Sequence, residues 1–136
     1  MNVLLDTNIV LDVLLNRQPF VTESKSIWQA NDDDKITGYI AATTLTNIFF
    51  IVRKVAGLKD ARAAVRVCLD AFVICAVDRP ALEMAEQLPG NDFEDNVQIA
   101  CATITGLTAI VTRDKTGFTA ATTTVYAPDE LLVQLP

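Results

Sequence analysis

Short apolar runs alternate with longer segments of helical period along this chain, and that alternation limits the folds open to it. Val3-Leu4-Leu5 is an apolar run that stops at Asp6, as a buried parallel strand does. Thr7 or Asn8 is placed to cap a following helix whose apolar positions are Ile9, Val10, Val13 and Leu14. The pattern then predicts a helix over Val21 to Ala30, with Ile27 and Trp28 inward, and a strand over Gly38 to Ala41. Thr43 or Thr44 caps an apolar helix that runs through Val55 and ends at Gly57. A helix over Lys59 to Leu69 leads to a strand over Phe72 to Ala76. Asp78 and Pro80 open a helix to Leu88, and Asp92 to Thr105 forms another, closed by Gly106. Strands over Leu107 to Val111 and Thr123 to Tyr126 follow, and Pro128 opens a last short helix. Asp32-Asp33-Asp34 marks a turn. Strands alternating with helices make a parallel sheet covered on both faces, within the usual size of one domain over residues 1–136.

In such folds ligands bind beyond the carboxyl ends of the strands. The residues found there are acidic. Asp6 directly follows the first strand, Asp114 follows the fourth in Ile110-Val111-Thr112-Arg113-Asp114, and Asp92, Glu94 and Asp95 open the long helix before it. Asp92 and Asp95 stand about one turn apart and share a face. Carboxylates crowded on one rim repel unless a cation binds, and hard divalent cations such as Mg²⁺ or Mn²⁺ prefer oxygen ligands. Each acid also has a plainer role: a first-turn acid complements the helix dipole, and an acid after a strand ends that strand or turns the chain.

Composition removes the main rivals. There is no histidine, and serine occurs only at positions 24 and 26, so Ser-His-Asp and Cys-His catalysis and His-bound zinc are excluded. Cys68, Cys75 and Cys101 form no C-x-x-C and read as reduced core thiols of a cytoplasmic protein. The net charge of −6 disfavours a passive nucleic-acid binder, yet allows an enzyme whose acids collect metal ions. The longest run of large apolar residues, Ile48 to Val52, is too short to span a membrane, and the N-terminus lacks the basic region of a secretory signal.

Four segments, in order, resemble the PIN domain family and, within it, the VapC-like ribonuclease toxins. They are Leu4-Leu5-Asp6-Thr7-Asn8, Thr43-Thr44-Leu45-Thr46-Asn47-Ile48, Asp92-Phe93-Glu94-Asp95-Asn96-Val97-Gln98-Ile99-Ala100 and Ile110-Val111-Thr112-Arg113-Asp114. The resemblance spans essentially the whole chain. It implies a three-layer α/β/α sandwich around a five-stranded parallel sheet, and an endoribonuclease that uses Mg²⁺ or Mn²⁺. It makes Asp6, Asp95 and Asp114 metal-binding acids, with Asp92 a direct or outer partner. Asn47 stands where most of the family carries a glutamate; an amide offers a ligand oxygen without charge. The resemblance further implies an antitoxin protein as partner and a homodimer.

Thr7, Asn8 and Thr112 are expected to support this site through hydrogen bonds. Arg113 and Lys115, beside Asp114, are expected to reach a substrate phosphate, while Arg53, Lys54, Lys59, Arg62 and Arg66 form a solvated surface that could guide an RNA backbone. Two other readings stand beside the nuclease. One is a partner-binding module without catalysis. The other is a haloacid-dehalogenase-like phosphatase, which would want a second acid where this chain has Asn8.

Overall fold

The computed structural model describes residues 1–136. The chain runs β1 (Asn2–Leu5), α1 (Thr7–Leu14), α2 (Val21–Asp32), β2 (Thr37–Ala41), α3 (Ala42–Ala56), α4 (Leu58–Ala71) and β3 (Val73–Cys75). It continues through α5 (Arg79–Gln87), α6 (Phe93–Thr105), β4 (Ala109–Val111), a single 3-10 turn over Lys115–Phe118, β5 (Thr124–Tyr126) and α7 (Pro128–Leu132). The strands form one parallel sheet in the order β3-β2-β1-β4-β5, with helices on both faces, as the alternation predicts. The turn at Lys115–Phe118 has no counterpart in the sequence pattern.

Alternation along each central strand feeds two cores. Val3, Leu5, Ile40, Ala109 and Val111 face a cluster with Ile9, Ile27, Ile48, Val52, Ala64 and Leu131, contributed by α1 to α4 and α7. Leu4, Ala41 and Ile110 face the opposite cluster, built with Ala81 and Ala85 of α5 and Val97, Ala100 and Cys101 of α6. Burying one such Leu or Ile side chain stabilises the fold by about 2 kcal/mol, so both faces contribute to holding the sheet between its helices. Trp28 is half-buried and meets Phe72 edge-on at 4.8 Å. The three cysteines are free and buried, and burial pushes the Cys68 and Cys101 thiols up to about 12. No helix is long and apolar enough to cross a membrane.

Two helix starts differ from expectation, and for one reason. The cap position of α1 is Asp6, not Thr7 or Asn8, and its side chain makes no capping bond. That of α3 is Ala41, not Thr43 or Thr44, again without a side-chain cap. The hydroxyls expected at these caps turn inward instead: Thr7 Oγ1 and Thr44 Oγ1 are hydrogen-bonded to each other at 2.9 Å, both buried. The polar groups that would normally finish these helices are spent on the rim of the sheet.

Candidate active site

β1 and β4 are neighbours in the sheet, yet the chain leaves them toward opposite faces, α1 joining one core and the Lys115–Phe118 turn the other. A crevice opens where the winding reverses, and this is where such sheets bind ligands. Asp6 stands in it. Its backbone N–H donates to Val111 O at 3.0 Å, extending the ladder by one residue and fixing the start of its side chain. The carboxylate is buried, 7% exposed. Gln98 Nε2 of α6 donates to Oδ1 at 2.9 Å, and Thr112 Oγ1 donates to Oδ2 at 2.8 Å. Both donors are neutral.

Thr112 also ties Asp6 to the next acid, because its hydroxyl accepts the Asp114 N–H at 3.1 Å. The Asp114 carboxylate caps the 3-10 turn, accepting the Thr116 hydroxyl at 2.5 Å and the Thr116 N–H at 3.0 Å, and these bonds hold it below the usual carboxylate range. From α6, Asp92 is the cap residue, accepting the Asp95 N–H at 3.1 Å, so Asp95 begins its turn with its side chain toward the crevice. Gly117 lies against Asp95: a Cβ there would sit 3.0 Å from Cγ and overlap Oδ2. The 3-10 turn can approach that carboxylate only because position 117 has no side chain.

Asp6, Asn47, Asp92, Glu94, Asp95 and Asp114 line one cleft of about 410 Å³, with Thr7 and Asn8 at its wall. Every acid put forward from the sequence, and Asn47 with them, therefore falls in the same place, whereas Arg113 and Lys115 do not line it. Asn47 reaches it from α3, half-buried, while Ile48 and Val52 of that helix are buried in the core. A larger groove of about 600 Å³ runs along α5, but Glu83 there is paired with Arg79 at 3.6 Å, so it holds no comparable crowding of like charge.

Two contributors, Gln98 and Thr44, were not read from the sequence as part of the site, and a third, Glu94, was read among the rim acids without a place in the metal-binding set. Glu94, which fits a dipole role as a first-turn acid, lines the cleft and accepts a long bond from Thr7 Oγ1 at 3.4 Å. Gln98, one turn beyond Glu94 and Asp95, orients Asp6, and its Oε1 is buried without a partner. Thr44 supports Thr7. A polar residue at helical spacing from two acids is the signal that would have singled out Gln98.

The electrostatics are one-sided. Burial, and then the carboxylates of Asp92, Asp6, Glu94 and Asp114, push the Asp95 carboxyl up to about 7. The basic neighbours of Asp114 do not relieve this. Arg113 donates Nε and Nη2 to Asp12 at 2.7 and 3.1 Å, which turns it away from the phosphate contact expected of it, and Lys115 is paired with Glu130 at the surface. Arg53, Lys54, Lys59, Arg62 and Arg66 are all exposed on α3 and α4. Asn8, where a phosphatase would carry its second acid, accepts a bond from Arg17.

An all-oxygen donor set with excess negative charge and no free cation fits a hard divalent metal. The acids line the cleft, but no three of them converge closely enough here to hold an ion together.

A parallel sheet with this winding and an acidic switch-point crevice defines an α/β protein built around a strand-end acid site. The chain belongs to the PIN domain family, whose model matches residues 2–116. Among solved structures, it is similar to the DNA-bound VapBC complex of Salmonella typhimurium, at a TM-score of 0.73 and 17% identity over 94% of this chain and 98% of that one. It also resembles VapC20 of Mycobacterium tuberculosis, a sarcin-ricin-loop-cleaving toxin, at a TM-score of 0.71 and 14% identity over 87% and 94% of the two chains. A toxin-antitoxin complex from Klebsiella pneumoniae gives a TM-score of 0.68 and 22% identity over 93% and 97%. No curated protein sequence matches significantly.

Proposed function

We propose that this PIN-domain chain is an Mg²⁺- or Mn²⁺-dependent endoribonuclease, the toxin of a toxin–antitoxin pair. The observation that carries the reading is the gathering of Asp6, Asp92, Glu94, Asp95 and Asp114 on one cleft while the adjacent bases are paired elsewhere. Asp6, Asp95 and Asp114 would hold the ion, with Asp92 as a direct or outer partner. When bound, the ion supplies Lewis-acid stabilisation of phosphate charge and lowers the pKa of water. The remaining work falls to the protein. Gln98 and Thr112 aim the two oxygens of Asp6, and Thr112 sets its spacing from Asp114. Asn47 offers an uncharged oxygen that orients a water or completes the shell. Asp95, whose carboxyl is pushed up to about 7 by burial and the neighbouring acids, would be kept ionised by a cation beside it.

The similar chains from Salmonella typhimurium and Klebsiella pneumoniae are found in complexes of toxin with antitoxin, which supports an antitoxin partner here. A homodimer acting in the cytoplasm belongs to the same reading. The deciding experiment incubates a mixed RNA pool with and without Mn²⁺ and compares wild type with Asp6→Asn. Cleavage by wild type that needs metal and falls at least a hundredfold in the variant supports the reading. No cleavage with any divalent ion, together with a native fold, favours the partner-binding module.

A further inference from the structure

A second buried carboxylate lies next to the cleft and has no place in the chemistry above. Asp12, on α1, is fully buried. Its Oδ2 accepts Arg113 Nε at 2.7 Å and Ser24 Oγ at 2.9 Å, and its Oδ1 accepts Arg113 Nη2 at 3.1 Å. Arg17 Nη1 approaches the same Oδ1 at 3.8 Å. The Arg113 guanidinium is also stacked on the Phe20 ring, 3.8 Å from its centroid, so its plane is fixed from a second side.

Both arginines lead back to the site. Arg113 stands between Thr112, which orients Asp6, and Asp114. Arg17 Nη1 donates to Asn8 Oδ1 at 3.0 Å, and Asn8 lines the cleft wall. One carboxylate therefore anchors two segments of the rim that are far apart in sequence. Stability alone does not explain this design, because a buried ion pair is often replaceable by apolar side chains without loss. A bidentate fork on a fixed carboxylate gives orientation, which apolar packing would not.

We propose that Asp12 is a positioning residue for the acidic cleft: through Arg113 and Arg17 it holds the Thr112–Asp114 turn and Asn8 in the arrangement that binds a divalent cation. The proposal rests on the metal-site reading above. It makes a prediction of sign. Arg17 and Arg113 are positive charges near a cation site, so if they acted only as charges, removing one would tighten metal binding. Positioning predicts the opposite.

The test is calorimetric titration of the folded chain with Mn²⁺. The variants are Arg17→Gln, Arg113→Lys and the double variant Asp12→Asn/Arg113→Gln, which leaves no buried charge unpaired. Arg79→Gln, at an exposed position of α5, serves as control. Arg17→Gln keeps the Asp12–Arg113 pair and so carries the test even if the double variant does not fold. Each of the three should bind Mn²⁺ about tenfold or more weakly, as loss of an outer-shell support does, while Arg79→Gln binds as wild type. Equal or tighter binding by Arg17→Gln and Arg113→Lys overturns the proposal, as does an equal loss in Arg79→Gln. If wild type itself binds no Mn²⁺, the metal-site reading falls and this proposal falls with it.

Discussion

Asp6 and Asp12 are buried carboxylates at the start and end of one short helix, and they are treated in opposite ways. Asp12 is met by two arginines and a serine, so its charge is answered within the fold. Asp6 is met by an amide and a hydroxyl, so its charge is oriented but left standing, with four more acids on the same cleft. A buried charge is costly unless paired. The chain meets that cost with its own cations at Asp12 and leaves it open at Asp6. Under the function proposed above, the difference separates a group that builds the scaffold from one left to an external ion.

Removing each carboxylate is the strongest way to break the contrast. Asp12→Ala leaves Arg113 and Arg17 without their acceptor and should lower stability by about 3–5 kcal/mol in urea unfolding with EDTA. Asp6→Asn keeps two polar partners and relieves repulsion, so its loss in the same assay should stay under about 1 kcal/mol. Equal losses would mean that Asp6 too is part of the scaffold.

Asp95 sharpens the comparison through pH. Its folded-state carboxyl is raised from 3.8 to about 7, so the native chain holds this proton more tightly than the unfolded chain. Its contribution to metal-free stability is therefore fully present below about pH 4, declines as pH rises toward 7, and is flat above. Asp95→Asn removes that decline and should gain about 2 kcal/mol at pH 8 in EDTA, after allowance for solvent screening. A variant clearly less stable than wild type there would make Asp95 a structural cap. The smallest effect belongs to Gly117→Ala. Its methyl group displaces the end of the Asp95 side chain, so metal-free stability should change by less than about 1 kcal/mol. The Mn²⁺-induced rise in melting temperature should nonetheless shrink, and a full wild-type rise would show that Asp95 does not need its observed place.

The rim acids were legible in the sequence because strand ends are: an apolar run that stops at an aspartate locates both the strand and the group beyond it. Asp6 follows from that pattern, Asp114 stands just past the fourth strand, the Asp92–Asp95 face follows from helical spacing, and the parallel sheet follows from the alternation of strand and helix. Hidden from it were the partners. Gln98 lies 92 positions from Asp6, and Arg113 lies 101 from Asp12, separations that no local period encodes. Arg113 was misread for the same reason: adjacency to Asp114 suggested a substrate contact, whereas a distant buried acid had claimed it. Asp12 did leave a trace, as the one charge in a helix otherwise apolar from Ile9 to Leu15. The helix caps failed where hydroxyls favoured by local propensity were drawn into the rim instead.

The place of β1 has a consequence for the order of events in synthesis. This first strand occupies the middle of the sheet, and one of its edges is completed only by residues 109–111. Thr112, which orients Asp6, is made 106 residues after it, and Asp114 follows Thr112. Pairings over such separations form late and slowly. A growing chain thus carries Asp6 without its cleft, which is assembled only once residues 109–114 have joined the sheet beside it.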